Sequence, residues 1–291
     1  MAWLELRVQA DGSSHAQLEE ALFAAGALSV TTLDAADSPI FEPDPTNPPV
    51  WPHPRLVGLF DADTDKRAVE VILLEVGCAK PHQLDWEILE DRVWETEWER
   101  DYKPMHFGKN FWVYSQPVDE PAALTLLLDP GLAFGTGTHP TTALCLEWLV
   151  ARQPAGLKVL DFGCGSGVLG IGALLLGASH CTFVDIDDQA LQASRNNLQK
   201  NSIDSGRFQL VKAPLDNSLL KAELVLANIL SEPLIQLAPE LCASLPRGGS
   251  ICLSGILEHQ VDAVLQAYQP LLDSVEITGR DEWRCISGEK A

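Results

Sequence analysis

The sequence predicts an α/β protein: a doubly wound, Rossmann-like parallel sheet preceded by a small α+β domain of ferredoxin-like order. Three observations carry this. From residue 158 onward, strand patterns alternate with helix patterns over about 140 residues, as a parallel sheet with crossover helices requires. Residues 1–90 read β-α-β-β-α-β. Between them, Lys158 to Gly167 is an apolar strand that ends in an acid, Asp161, and breaks into a turn with glycines at 163, 165 and 167. At roughly 150 residues per domain, a chain of 291 residues has room for two.

Composition narrows the class. The net charge of −21 argues against broad contact with nucleic-acid phosphate and favours solubility or a basic partner. No stretch reaches the ~20 apolar residues of a spanning helix, and the start lacks the basic end and apolar run of a signal peptide. A cytoplasmic monomer, with no membrane or direct nucleic-acid contact, is expected. The seven cysteines are scattered with no Cys-x-x-Cys pair, so neither a disulfide framework nor a zinc site is expected, and most should be small buried residues.

The elements follow in order. Trp3–Val8 alternates as a strand. Ser13-Ser14 is placed to cap a helix to Ala25, with Leu18, Ala21, Leu22 and Ala25 on one face and Gly26 at its end. Leu28–Leu33 reads as a strand. Six prolines between Phe41 and Pro54 force an irregular loop. Arg55–Phe60 is the next strand, Asp65–Val76 a helix packing Ala68, Val69, Ile72, Leu73 and Val76, and Gln83–Leu89 a closing strand. Eight acids between Asp85 and Asp101, with Trp94 and Trp98 at helical spacing, predict a helical linker over 91–104. The second domain is expected over 105–291.

Phe107–Tyr114 and Leu124–Leu128 read as strands. The segment 129–142, rich in Gly and Thr, predicts a ligand-hugging loop before a helix, with Thr138 or Thr141 as cap. After the glycine turn come helices Val168–Leu176, Asp188–Lys200, Pro233–Ser244 and Glu258–Tyr268. Strands are expected at Cys181–Ile186, Phe208–Val211, Glu223–Ala227, Ser250–Leu253 and Val275–Thr278. The strand ends carrying Asp161, Asp185 and Asn228 should then open on one edge of the sheet, where such folds bind ligands.

Gly165-Ser-Gly167-Val-Leu-Gly170 matches the Gly-x-Gly-x-x-Gly of dinucleotide enzymes, and Asp185 lies where a ribose contact is expected. A nicotinamide dehydrogenase is thus one reading. Its pyrophosphate would sit near Asp161, Asp185, Asp187 and Asp188 with no Lys or Arg in the loop. Each like-charge pair at ~4 Å opposes binding by roughly 4 kcal/mol at an effective dielectric near 20. A cofactor without phosphate and with a positive end, S-adenosylmethionine, removes the conflict: its ammonium can pair through Asp161, and its ribose diol suits Asp185.

Val159-Leu-Asp-Phe-Gly-Cys-Gly-Ser-Gly167 and Val184-Asp-Ile-Asp187 resemble the first two motifs of class I methyltransferases, and Leu226-Ala-Asn228-Ile-Leu230 stands at that superfamily's substrate-side motif. Together with 128–145 and Leu253-Ser-Gly-Ile-Leu257, nearly the whole chain resembles the bacterial methyltransferases of large-subunit ribosomal protein eleven, the PrmA family. The resemblance implies an amino-terminal domain that recognises the ribosomal protein, a helical linker, and a catalytic domain that methylates lysine side chains and the N-terminal α-amine. It places cofactor contacts on Thr142, Gly163, Asp185 and Asn228; the charge argument adds Asp161, and the glycine turn, whose backbone can approach a ligand with no Cβ in the way, adds Gly165. Asn228-Ile-Leu-Ser lacks the Asn-Pro-Pro-Tyr aromatic of many enzymes that methylate planar nitrogens, which is consistent with an aliphatic amine. No general base is singled out. His139 is read as ordering its loop or touching ligand. A methyltransferase acting on another protein or small-molecule amine is the alternative within the class.

Overall fold

A computed structural model describes residues 2–9, 15–35, 54–77, 83–89, 103–120, 122–128, 139–213 and 220–291. The chain divides into two compact units, Met1–Glu97 and Trp98–Ala291. The expected proline-rich loop lies almost wholly outside the described residues, as do residues 91–102 of the expected linker helix, the Ser13-Ser14 cap and Thr138.

In the first unit the order is β1 (Trp3–Gln9), α1 (His15–Ala24), β2 (Ser29–Asp34), β3 (Pro54–Asp61), α2 (Lys66–Glu75) and β4 (Leu84–Leu89). The strands pair antiparallel in the order β2-β3-β1-β4, and the β-α-β-β-α-β succession is the one the sequence predicts. Alternation does the work in β1, where Leu4, Leu6 and Val8 are buried while Trp3, Glu5 and Arg7 face the other side. The inward set meets Leu18 and Leu22 of α1 and Val69 and Leu73 of α2 in one core. Asp65 caps α2 by accepting from the Arg67 and Ala68 amides. Val76, expected on the apolar face, is 55% exposed because the helix has ended before it.

The second unit begins with a three-stranded sheet, β5 (Met105–Phe107), β6 (Phe111–Tyr114) and β7 (Leu124–Leu127). The single strand expected over 107–114 is a hairpin instead, turned at Gly108 with φ +60°. Then follow α3 (Pro140–Arg152), β8 (Lys158–Phe162), α4 (Val168–Leu175), β9 (His180–Asp185), α5 (Asp188–Lys200), β10 (Phe208–Lys212), β11 (Leu224–Asn228), α6 (Ser231–Ser244), β12 (Ser250–Leu257), α7 (Val261–Tyr268), β13 (Leu272–Arg280) and β14 (Trp283–Lys290).

The seven-stranded sheet runs β10-β9-β8-β11-β12-β14-β13, parallel through β12. Its last two strands correct the all-parallel expectation: β14 is antiparallel to both β12 and β13, so the sheet is mixed. The sequence reading missed β14, whose Trp-Arg-Cys-Ile-Ser-Gly mixes polar and apolar residues without clean alternation. The central strands are buried on both faces, as a doubly covered sheet demands. In β11, Leu224 and Leu226 pack with residues of α3 and α4, while Val225 and Ala227 pack with α6 and α7. Among the described residues no helix is long and apolar enough to cross a membrane.

Candidate active site

The carboxyl ends of β8, β9 and β11 border one cleft of about 1550 Å³, larger than the roughly 300–1,000 Å³ of common ligand pockets and so able to hold a nucleoside-sized molecule beside a second reactant. Thr142, Asp161, Gly163, Gly165, Asp185 and Asn228, all singled out from sequence, lie in its wall.

The glycine turn forms one wall. Gly163, Gly165 and Gly167 take φ of +71°, +53° and +79°, which side chains bearing a Cβ rarely adopt. A Cβ on Gly163 would stand 2.2 Å from Ile229 Cγ2, and one on Gly167 2.8 Å from Ser194 Oγ. Gly170 serves packing, since a Cβ there would meet Phe183 at 2.3 Å. The turn is anchored from β9 and α5. Gly163 and Cys164 amides donate to the Val184 carbonyl, Ser194 Oγ donates to the Gly165 carbonyl, and Asn197 Nδ2 donates to that of Ser166. Asp185 ties the wall together, accepting from the Gly165 amide (3.0 Å) and the Asp187 amide (3.1 Å).

Asp161 sits beneath the turn, 1% exposed, and accepts from the Gly170 amide at 2.8 Å. Burial, opposed by that amide and reinforced by the charge of Asp185, pushes its carboxyl up to about 7. Its placement makes it first a support of the turn, with the cleft on its other side.

The second wall comes from four distant segments. Asn228, at the end of β11, donates from Nδ2 to Thr142 Oγ1 at 3.2 Å, and Thr142 is itself fully buried. Thr141 is buried too and does not cap α3, contrary to expectation. His139 is the cap, its Nδ1 taking the Thr141 amide and lying 2.8 Å from Thr141 Oγ1, with Pro140 in the first turn. Burial holds the His139 imidazole below its usual range, so it stands neutral at neutral pH. Trp283 packs edge-on to His139 at 5.0 Å between ring centroids. Gly255, φ +86°, lets β12 approach the Ile229 backbone so closely that a Cβ would lie 2.2 Å from the Ile229 carbonyl oxygen.

Sequence reasoning missed Trp283 and Ile186, both in the wall. Ile186 is 76% exposed, and its place inside Val-Asp-Ile-Asp was its only signal. Trp283 lies 55 residues beyond Asn228 on the unrecognised β14, with no local signal at all.

The described lining contains Asp161, Asp185, Asp187 and Glu240 but no Lys or Arg. Lys212 pairs with Asp188 outside that lining. Among the described residues a phosphate has no cation to meet here, whereas a positively charged nucleoside meets carboxylates and a glycine cradle that a Cβ would fill.

The sequence matches the family described as ribosomal protein L11 methyltransferase (PrmA) over residues 2–291. Two relatives of that name, from Teredinibacter turnerae and Hahella chejuensis, are 47% and 48% identical over alignments covering 100% of this chain and 97% and 99% of theirs. The crystal structure of a ribosomal protein L11 methylase from Lactobacillus delbrueckii subsp. bulgaricus is 30% identical, with a TM-score of 0.58 over 65% of this chain and 100% of that one. The chain belongs to the ribosomal protein L11 methyltransferase (PrmA) family, and the group its acidic glycine cradle fits is S-adenosylmethionine, the methyl donor of a protein methyltransferase.

Proposed function

We propose that the chain methylates lysine side-chain amines and the N-terminal α-amine of ribosomal protein L11, with Thr142, Asp161, Gly163, Gly165, Asp185 and Asn228 forming the cofactor wall. The observation that carries the reading is a cleft whose described lining holds carboxylates and no basic side chain, beside an asparagine held at a strand end.

When bound, S-adenosylmethionine supplies an electrophilic methyl group on a sulfonium. The chain's own residues supply position and charge. Asp185, fixed by the Gly165 and Asp187 amides, has lone pairs left for a diol. Asn228, with Nδ2 on Thr142, offers Oδ1 and its backbone carbonyl to an amine N–H. The amine must arrive neutral, although a lysine of reference pKa about 10.4 is mostly charged at neutral pH. The apolar, half-enclosed end at Ile229, Leu230 and Trp283 disfavours the ammonium form by desolvation. Residues 1–90 supply the choice of protein substrate, and the acidic surface favours encounter with a basic one.

Methyl-labelled cofactor incubated with purified ribosomal protein L11 should place label on lysine and terminal amines, located by peptide mass spectrometry. Label appearing instead on another protein of a ribosomal extract would move the substrate assignment. Residues 105–291 alone methylating intact L11 at the full-length rate would remove the recognition role from residues 1–90.

A further inference from the structure

Cys145, Cys252 and Cys285 are far apart in the sequence, yet they converge in the layer between α3 and the sheet. Cys145 lies on α3, Cys252 on β12 and Cys285 on β14, and none is more than 1% exposed. Cys252 Sγ is 3.4 Å from Cys285 Sγ and 3.8 Å from Cys145 Sγ, and all three sulfurs lie within 4.8 Å of one another. Sulfurs bound at ~2.3 Å to one central atom stand roughly 3.4–4.0 Å apart as the angles open from pyramidal to trigonal. Two of the three separations fall in that range and the third is within 4.8 Å, close to the spacing of three ligands on a single soft centre.

We propose that these three cysteines form a binding site for a trivalent thiophilic centre, arsenic(III) or antimony(III). Charge decides the class. The hydroxyls of Ser254 and Thr278 reach Cys145 and Cys285, and all three sulfurs lie in the apolar core. Three thiolates on a monovalent copper or a divalent zinc leave a net negative charge, which is costly to bury with no cation beside it. Arsenic trihydroxide with three thiols leaves none. Three As–O and three S–H bonds break, three As–S bonds form, three waters depart, and arsenic stays trivalent. The product is neutral, as this site requires.

A cleft of about 310 Å³ is bordered by Arg152, Ser250 and Ser287. Ser250 is two residues before Cys252 and Ser287 two after Cys285, so they share the sulfurs' face of their strands. Arg152 Nη2 donates to Ser250 Oγ across this opening. Ligation would staple α3, whose first turn holds Thr142 against Asn228, to β12 and β14.

The test incubates the reduced, full-length protein with sodium arsenite, exchanges it into arsenite-free buffer, and reads native mass spectra and arsenic X-ray absorption. One retained arsenic per chain with three sulfur neighbours, together with a raised melting temperature, is expected. Cys242→Ser, which alters a buried cysteine on the opposite face of the sheet, should retain the arsenic; Cys252→Ala should lose it. Wild-type protein that keeps no arsenic, a centre with fewer than three sulfurs, or retention by Cys252→Ala would overturn the proposal. Should Cys252→Ala not fold, Cys145→Ala is read the same way, and the wild-type absorption spectrum decides on its own.

Discussion

The two walls of the cleft are built differently. The glycine wall is local: residues 161–170 and 185–197 form consecutive strand, turn and helix, and their hydrogen bonds run between neighbours in the βαβ unit. The opposite wall is assembled from 139–142, 228–230, 255 and 283, joined only after the sheet has closed. The local wall carries four of the six residues proposed to hold the cofactor, Asp161, Gly163, Gly165 and Asp185. The assembled wall borders the end of the cleft where an incoming amine is proposed to lie, so its precision depends on long-range packing.

Substitutions that separate the walls sharpen this contrast. The largest effect is expected from Gly255→Ala, where a left-handed φ and a backbone oxygen 2.2 Å away leave no room. Loss of about 3–4 kcal/mol in urea unfolding is expected; unchanged stability would show that the assembled wall is not tightly set. Next is Asp185→Ala. It removes the acceptor of two loop amides and the proposed diol partner, so calorimetry should show cofactor affinity falling about 100-fold, or ~2.7 kcal/mol, with the fold retained. Unchanged affinity would withdraw Asp185 from the site.

Asp161→Asn tests the support beneath the turn through pH. The carboxyl titrates near 7 in the folded protein and near 3.8 when unfolded. Between those values the native state holds a proton that the unfolded chain has lost, so stability falls as pH rises from about 4 to 7 and is level above. Three pKa units set an upper limit of ~4 kcal/mol, and about 2 kcal/mol is expected after relaxation. The asparagine variant should lack this slope; parallel wild-type and variant profiles would show that Asp161 is not buried as described. The smallest effect belongs to Thr142→Val, which leaves Asn228 Nδ2 without its hydroxyl. A tenfold lower cofactor affinity, ~1.4 kcal/mol, is expected by calorimetry, because Thr142 and Asn228 belong to the proposed cofactor wall. Unchanged cofactor affinity would withdraw Thr142 from that wall.

The same contrast explains what could be read from sequence. Gly163, Gly165, Asp161 and Asp185 are legible because turn chemistry and a charged ligand's needs are written over a few dozen consecutive residues. The βαββαβ order of residues 1–90 is legible for a similar reason, since each element carries its own period. Trp283 and the His139 cap are not legible. The first depends on an antiparallel strand inserted beside β12, and the second on a ring nitrogen standing in for the usual hydroxyl. The cysteine trio was hidden likewise, because Cys145, Cys252 and Cys285 meet only through the packing of α3 on two strands.

The central claim is that carboxylates without a basic partner select a cationic nucleoside over a phosphate-bearing one. Calorimetric titration of the full-length protein with S-adenosylmethionine and, separately, with NAD tests it most directly. Saturable binding of S-adenosylmethionine with no measurable heat from NAD is the predicted result. NAD binding as tightly as S-adenosylmethionine would contradict the account.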